Sequence, residues 1–270
     1  MKKRILVTVG DSWTEGVGCY GIEETNLFVD DSKNISLGRR QEFVDKYLDN
    51  FHKEGWPNRV GKKLGFDKVI NLGWGASSNS SDVKSFYNFV RDTDFSDSEV
   101  LVIWMMTDPV RFSFYINDRL KDYMYYSEYS TLFSKEYLNE IVHFETDPLL
   151  EQIFYIESMK NICNINKFDL LLTSWSPTIK SLIKLYPSDN YLFKDGFYVK
   201  PPYHKSKDGK TYKYHSFCYH PNELGYEWIS NKIVKEIKES HSKWFRGKEN
   251  ENLEWEWNSY RNFNTSGIII

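Results

Sequence analysis

The chain has 270 residues, of which 40% are hydrophobic, and a formal net charge of −3. This composition fits one sizeable domain, and it lacks the basic balance from which nucleic-acid-binding surfaces are built. The three cysteines lie far apart in the sequence, which disfavours both a disulfide framework and a zinc site. We therefore predict a protein with no nucleic-acid partner, no metal and no other cofactor.

The apolar run near the amino terminus covers only residues 5–9 and is followed by no small-residue cleavage site. A signal peptide needs a longer apolar run, so none is expected. No stretch approaches the roughly 18 apolar residues of a membrane span. The sequence thus predicts a cytoplasmic protein without a membrane partner.

Four apolar runs in chain order predict buried strands, and helical patterns lie between and after them. The strands are expected at residues 4–9, 68–72, 100–106 and 168–173, and the helices at 56–64, at 78–90, from Asp147 onward and from about Pro221 to Ser240. Continuous apolar strands that alternate with helices are typical of a parallel sheet covered on both faces. The predicted fold class is α/β, with three α/β/α layers around a mainly parallel central sheet.

This domain is expected to span residues 1–242 and to carry long loop insertions at 17–50, 110–146 and 192–217. Loops of such length are usually functional or disordered. The carboxyl-terminal tail, residues 243–270, is too rich in aromatic residues to be a plain disordered end. It is predicted either to wrap the domain or to meet a partner, and an oligomer could form through it.

The first motif with chemical meaning is GDSWTEG at residues 10–16, directly after the first strand. Ligands of open α/β sheets gather outside the carboxyl ends of the strands, so this turn displays Ser12 toward a crevice. A serine hydroxyl is a weak nucleophile and needs a base within hydrogen-bond reach. The alternative interpretation is that Gly-Asp-Ser only supplies turn residues.

The second motif, HPNELGY at residues 220–226, opens the last helix. If Pro221 stands in the first turn, His220 lies at the helix mouth, where the positive end of the helix dipole favours a neutral imidazole. A neutral imidazole can accept a proton. Taken alone, His220 fits the role of a capping or packing residue better.

The third motif, NLGWGASSN at residues 71–79, follows the second strand. Its glycines allow backbone N–H groups to approach a substrate closely, as an oxyanion hole requires. The same residues also fit an ordinary turn from a strand to a capped helix.

The order of these three motifs resembles that of the SGNH (GDSL) hydrolase family, over about residues 4–109 and 218–238. The resemblance implies a flavodoxin-like α/β/α fold and a carboxylic ester hydrolase. It implies that Ser12 is the nucleophile and one backbone donor of the oxyanion hole, that Gly75 is a second donor, and that His220 is the general base. Asp11 and Asp108, inside the motifs, are expected to support the site.

Two positions depart from the family pattern. The family usually has Gly-x-Asn-Asp after the third strand, and here Thr107 stands at the asparagine position. Threonine can donate one hydrogen bond to the oxyanion, with a shorter reach, and Asn79 is a second candidate donor. The family also has an aspartate three residues before the histidine, where this chain has Phe217.

The missing aspartate leaves the partner of His220 open. A backbone carbonyl, Asp208 or Glu223 could orient the imidazole in its place. The sequence therefore predicts a Ser–His dyad or an incomplete triad.

Two functions remain in view. The first is an esterase for a small-molecule or carbohydrate ester, such as an O-acetyl group. The carbohydrate is suggested by the lysine- and tyrosine-bearing insertion at 192–217, which also carries His204 and His215 and whose alternative interpretation is a solvated loop. The second is a catalytically impaired binding or structural protein of the same fold. The composition and the GDSW opening look similar to SGNH-like proteins of large tailed phages, for which a virion location is the alternative to the cytoplasm. A metal-dependent hydrolase is disfavoured because no HExxH pair is present.

Overall fold

The computed structural model describes residues 2–19, 47–75, 77–109, 111–116, 119–124, 148–177, 180–193, 199–202, 213–215 and 220–258. The strands in these ranges are β1 (Lys3–Gly10), β2 (Lys68–Asn71), β3 (Ser98–Met106), β4 (Arg111–Ile116), β5 (Arg119–Met124), β6 (Asp169–Ser174) and β7 (Glu254–Trp257). The helices are α1 (Ser12–Glu15), α2 (Trp56–Leu64), α3 (Asn79–Asp92), α4 (Pro148–Asn166), α5 (Lys180–Leu185) and α6 (Glu223–Ser240), followed by a short 3₁₀ turn (Ser242–Trp244). Residues 47–54 are also helical.

Five of the strands form one parallel sheet in the order β6-β3-β1-β2-β7. In the centre, β1 pairs with β3 from Lys3↔Ser98 to Gly10↔Met105 and with β2 from Ile5↔Lys68 to Thr8↔Asn71. The four strands predicted from apolar runs are all in this sheet. The fifth, β7, lies at its edge and comes from the carboxyl-terminal tail.

The two faces of the sheet are covered by different helices because alternate strand residues point to opposite sides. One face carries Leu6, Leu101 and Ile103. It is covered by α2, through Trp56 and Leu64, and by α6, through Ile229 and Ile233. The other face carries Val7, Val102 and Trp104. It is covered by α3, through Phe86 and Phe89, and by α4, through Ile156 and Met159. The predicted three-layer α/β/α fold is confirmed.

Two capped helices and a hairpin complete the framework of the site. Ser78 and Ser81 form a capping box at the start of α3, and the Asn222 side chain accepts a 2.9 Å hydrogen bond from Gly225 N at the start of α6. The helix α6 therefore begins at Glu223 and not at Pro221, because Asn222 is its N-cap. Inside the 110–146 insertion, β4 and β5 pair antiparallel, from Arg111↔Met124 to Ile116↔Arg119.

Within the described ranges, no helix is both long and apolar enough to cross a membrane.

Candidate active site

Ser12 is displayed by a tight turn at the carboxyl end of β1. Gly10 has φ 148°, and a Cβ there would lie 2.6 Å from Met105 O and 2.4 Å from Thr14 Oγ1. Asp11 then caps the one-turn helix α1, its Oδ1 accepting from Trp13 N at 3.0 Å. The glycine and the cap together place Ser12 at the first position of α1, at the edge where the parallel strands end.

His220 lies directly against this serine. Its Nε2 is 2.8 Å from Ser12 Oγ, although the two residues are 208 positions apart in sequence. The helix that follows His220 is tied to the loop after α1, because the Tyr226 hydroxyl donates to Val17 O at 2.8 Å. Ser12 is 6% exposed and His220 is half-buried. This separation is the one expected between a serine nucleophile and its general base.

The loop after β2, residues 73–75, packs against α1 and is called the glycine loop below. A Cβ on Gly73 would lie 2.4 Å from Glu15 N, and Trp74 N donates to Gly10 O at 3.0 Å. Among the described residues, the backbone N–H groups of Ser12 and Gly75 have no hydrogen-bond acceptor. Both N–H groups therefore have a hydrogen that is not engaged within the described part of the chain.

The two side chains expected to donate to the oxyanion are engaged elsewhere. The Thr107 hydroxyl donates to Asp11 Oδ2 at 2.9 Å, which uses its only hydrogen. The Asn79 amide donates to Thr107 O at 3.1 Å and to Gln152 Oε1 at 2.6 Å, and its Oδ1 accepts from Thr107 N at 2.8 Å. In this arrangement neither side chain has a hydrogen left for an oxyanion, and both hold the end of β3 in place.

Asp11 is the hub of the hydrogen bonds beneath the serine. Besides Thr107, its Oδ2 accepts from Arg111 Nη1 at 2.8 Å and from Trp175 Nε1 at 3.0 Å. Asp11 is fully buried, and the Arg111 side chain is 9% exposed. A carboxylate buried so deeply needs such donors, and the guanidinium compensates its charge.

Arg111 and Trp175 were missed in the sequence analysis. Arg111 opens an insertion that has no recognisable pattern, so nothing local marks it. Trp175 lies two residues after the fourth apolar run, and its position after a strand at the carboxyl edge of the sheet was the signal that could have found it.

Aromatic and basic side chains lie around Trp13, the residue that follows Ser12. The Trp13 ring stacks on Trp175 with centroids 5.2 Å apart, meets the edge of His215 at 6.4 Å, and has Lys200 Nζ 5.9 Å from its centroid. Burial, together with the charges of Lys200 and His220, lowers the pKa of His215 to about 4, and burial lowers the pKa of Lys200. His215 is therefore neutral at physiological pH.

Of the remaining predicted residues, two are among the described residues and three are not. Asp108 Oδ2 accepts from the Ser176 hydroxyl at 2.8 Å, which joins the ends of β3 and β6. Glu223 is the first residue of α6. Asp208, Phe217 and His204 are not among the described residues. The part of the chain that is described holds no group of three or more potential metal ligands.

The fold and the site define an α/β/α protein with a hydrogen-bonded serine and histidine at the carboxyl edge of its parallel sheet. No family model matches the chain, and no curated protein matches it. Among solved structures, it is similar to an acetyl xylan esterase from the rumen bacterium Butyrivibrio proteoclasticus, with 11% sequence identity and a TM-score of 0.46. That match covers 91% of this chain and 66% of the esterase chain. A likeness of this degree identifies neither a family nor an activity.

Proposed function

We propose that the chain is a serine esterase that hydrolyses a carboxylic ester, with Ser12 as nucleophile and His220 as general base. The observation that carries this proposal is the 2.8 Å separation of His220 Nε2 and Ser12 Oγ. A histidine at this distance can remove the hydroxyl proton as the oxygen attacks a carbonyl carbon. The location at the carboxyl edge of the sheet, where α/β proteins bind ligands, supports the same function.

The reaction would proceed in two halves. Ser12 Oγ attacks the ester carbonyl while its proton moves to His220 Nε2, and the resulting imidazolium then protonates the departing alcohol to leave an acyl-serine. In the second half, water attacks the acyl carbon, His220 takes a proton from that water, and the same proton returns to Ser12 Oγ as the carboxylic acid leaves. Each half passes through a negatively charged tetrahedral intermediate.

In this proposal the oxyanion is stabilised by backbone groups. The N–H groups of Ser12 and Gly75 are the donors, because Thr107 and Asn79 are engaged in hydrogen bonds of their own. Asp11 contributes indirectly, by capping α1 and so orienting the peptide that carries the Ser12 N–H. The site would act as a dyad or as an incomplete triad, in which Asp208, Glu223 or a backbone carbonyl orients the imidazole.

For the substrate, we propose an ester on a carbohydrate, such as an O-acetyl group. The support is the half-buried Trp175, whose Nε1 donates to Asp11 next to Ser12, together with Lys200, which lies over the buried Trp13 ring. Aromatic rings pack well against partly apolar, flat ligand faces, and a lysine donates hydrogen bonds to hydroxyl oxygens. The rates of hydrolysis of acetylated xylan and of a simple aryl acetate, measured side by side, test the proposed substrate class separately from the proposed catalytic residues.

A fluorophosphonate probe and p-nitrophenyl acetate test the catalytic assignment. We expect the wild-type chain to be labelled on Ser12 and to hydrolyse the aryl ester, and Ser12→Ala to do neither. The matched control is Ser158→Ala, which removes an exposed serine of α4 and should behave like wild type. Equal labelling of wild type and Ser12→Ala would show that Ser12 is not the nucleophile.

The second candidate is a binding or structural protein of the same fold, which accommodates a virion location. Two observations favour it: the Thr107 hydroxyl is committed to Asp11, and position 217 holds phenylalanine. A folded wild-type chain that fails to react with the probe and to hydrolyse either ester would establish this candidate instead.

A further inference from the structure

The carboxyl-terminal strand covers the outer side of the glycine loop with one tryptophan. Trp257 Nε1 donates to Gly73 O at 3.1 Å. Its ring stacks on Trp74, with centroids 5.5 Å apart, and on His52, with centroids 4.3 Å apart, and both pairs are within 14° of parallel. The indole thus contacts two consecutive residues of the loop, one through its N–H and one through its face.

The inner side of the same loop is held by the first half of the chain. Asn71 accepts from Gly73 N at 2.9 Å and donates to Thr14 O at 2.9 Å, which ties the loop to α1. Trp74 N completes this side by donating to Gly10 O. The glycine loop therefore lies between α1, which carries Ser12, and Trp257, which comes from the tail.

The tail keeps its place through contacts other than Trp257. Main-chain pairing aligns β7 with β2, and Asn258 N donates to Asn71 O at 3.1 Å. Ion pairs join Lys3 to Glu254 at 2.7 Å and Lys68 to Glu256 at 2.6 Å. A substitution that only removes the Trp257 N–H should leave the strand paired.

From these contacts we infer that Trp257 is a positioning residue that sets the location of the Gly75 N–H in the oxyanion hole. This inference rests on the proposed esterase function. Glycines give a loop many accessible conformations, so its position depends on the groups that bind its backbone. An oxyanion donor acts only when it is close to where the charge develops, so a loop displaced by a fraction of an ångström stabilises the transition state less.

The test compares Trp257→Phe with Trp255→Phe in the full-length chain. Trp257→Phe keeps an aromatic ring and removes the hydrogen bond to Gly73 O. Trp255 lies in the same strand and is 41% exposed. The variant Trp255→Phe also removes an indole N–H, but this N–H makes no hydrogen bond to the glycine loop. The measurements are kcat and KM for p-nitrophenyl acetate, with active sites counted by fluorophosphonate labelling at completion so that the folded fraction is known.

We expect Trp257→Phe to lower kcat on the order of 10-fold, with a change in KM of less than about twofold, because the donor is used in the transition state and not in substrate binding. Trp255→Phe should match wild type. Unchanged kcat in Trp257→Phe, or an equal fall in both variants, would overturn the inference while Ser12 labelling still upheld the proposed function. Absence of wild-type labelling would instead refute the proposed function.

A second measurement does not depend on turnover. Amide hydrogen exchange of the peptide that contains residues 73–75 should be faster in Trp257→Phe than in wild type and unchanged in Trp255→Phe. Equal exchange of that peptide in all three proteins would mean that Trp257 does not hold the loop, and it would overturn the inference.

Discussion

Arg111 Nη1 lies 2.8 Å from Asp11 Oδ2, in the buried layer directly beneath the serine of the candidate site. The carboxylate is fully buried and the guanidinium nearly so, and Arg111 also lies over the Trp175 ring, 5.5 Å from its centroid. Replacing both partners of such a buried ion pair by apolar residues changes the stability of the fold little. Removing only one partner leaves the other as an uncompensated buried charge. The charge of the carboxylate that caps α1 is therefore compensated by a residue 100 positions away in sequence.

We predict that Arg111→Met lowers the free energy of unfolding by about 3–5 kcal/mol, because Asp11 is left charged and buried. Urea denaturation followed by circular dichroism measures the change. The control is Arg91→Met, which breaks an exposed pair with Asp92 and should cost less than about 1 kcal/mol. Similar losses in both variants would mean that burial of the Asp11–Arg111 pair has no energetic consequence.

The turn at Gly10 gives a second prediction. Gly10→Ala combines a positive φ with a Cβ that would overlap Met105 O, whereas Gly247→Ala has a positive φ of 80° and nothing within 4 Å of the added Cβ. Backbone strain alone costs roughly 1–2 kcal/mol, so Gly247→Ala should lose about that much and Gly10→Ala clearly more. Thermal unfolding of the two variants measures both losses. Equal losses would contradict the steric argument.

The hydrogen bond from Thr107 to Asp11 predicts that stability and catalysis respond differently to Thr107→Val. The variant removes a buried donor, so unfolding should become easier by about 1–3 kcal/mol. Hydrolysis of p-nitrophenyl acetate, normalised to labelled Ser12, should fall by less than about 10-fold. Deleting an oxyanion donor typically lowers kcat by about 10²–10³-fold. A loss of that size in Thr107→Val would show that Thr107 donates to the oxyanion after all.

The buried imidazole of His215 predicts a pH dependence of stability. Its pKa is about 4 in the folded chain, below the ordinary value of 6.5, so the unfolded chain binds the additional proton between these two values. Above pH 6.5, His215 is neutral in both states and does not lower the free energy of unfolding. As the pH falls from 6.5 toward 4, protonation of His215 in the unfolded chain should decrease the free energy of unfolding. His215→Gln should flatten this part of the profile, as measured by urea denaturation at pH 4.5 to 7.5. Parallel profiles for the variant and the wild type would contradict the prediction.

The sequence by itself determined four of the five strands of the sheet and the turn that displays Ser12. Residues 4–9, 68–72, 100–106 and 168–173 are short and mostly apolar, and such runs alternating with helical segments are typical of a parallel sheet covered by helices on both faces. The Gly-Asp-Ser turn is equally local, because a glycine that tolerates positive φ and an aspartate that caps the next residues act within four positions. Order along the chain then predicted that Ser12 and His220 belong to one crevice.

The tertiary structure alone decided what the polar groups around this turn do. Thr107 and Asn79 are of the right type to donate to an oxyanion, but their hydrogens go to Asp11 and Gln152, which are distant in sequence. The residues of β7 alternate acidic and aromatic side chains and form no apolar run, so their edge position follows from the exposed edge of β2 and not from a pattern of their own. The direction of a side-chain hydrogen bond depends on which partners packing brings within about 3 Å, and that information is not local in the sequence.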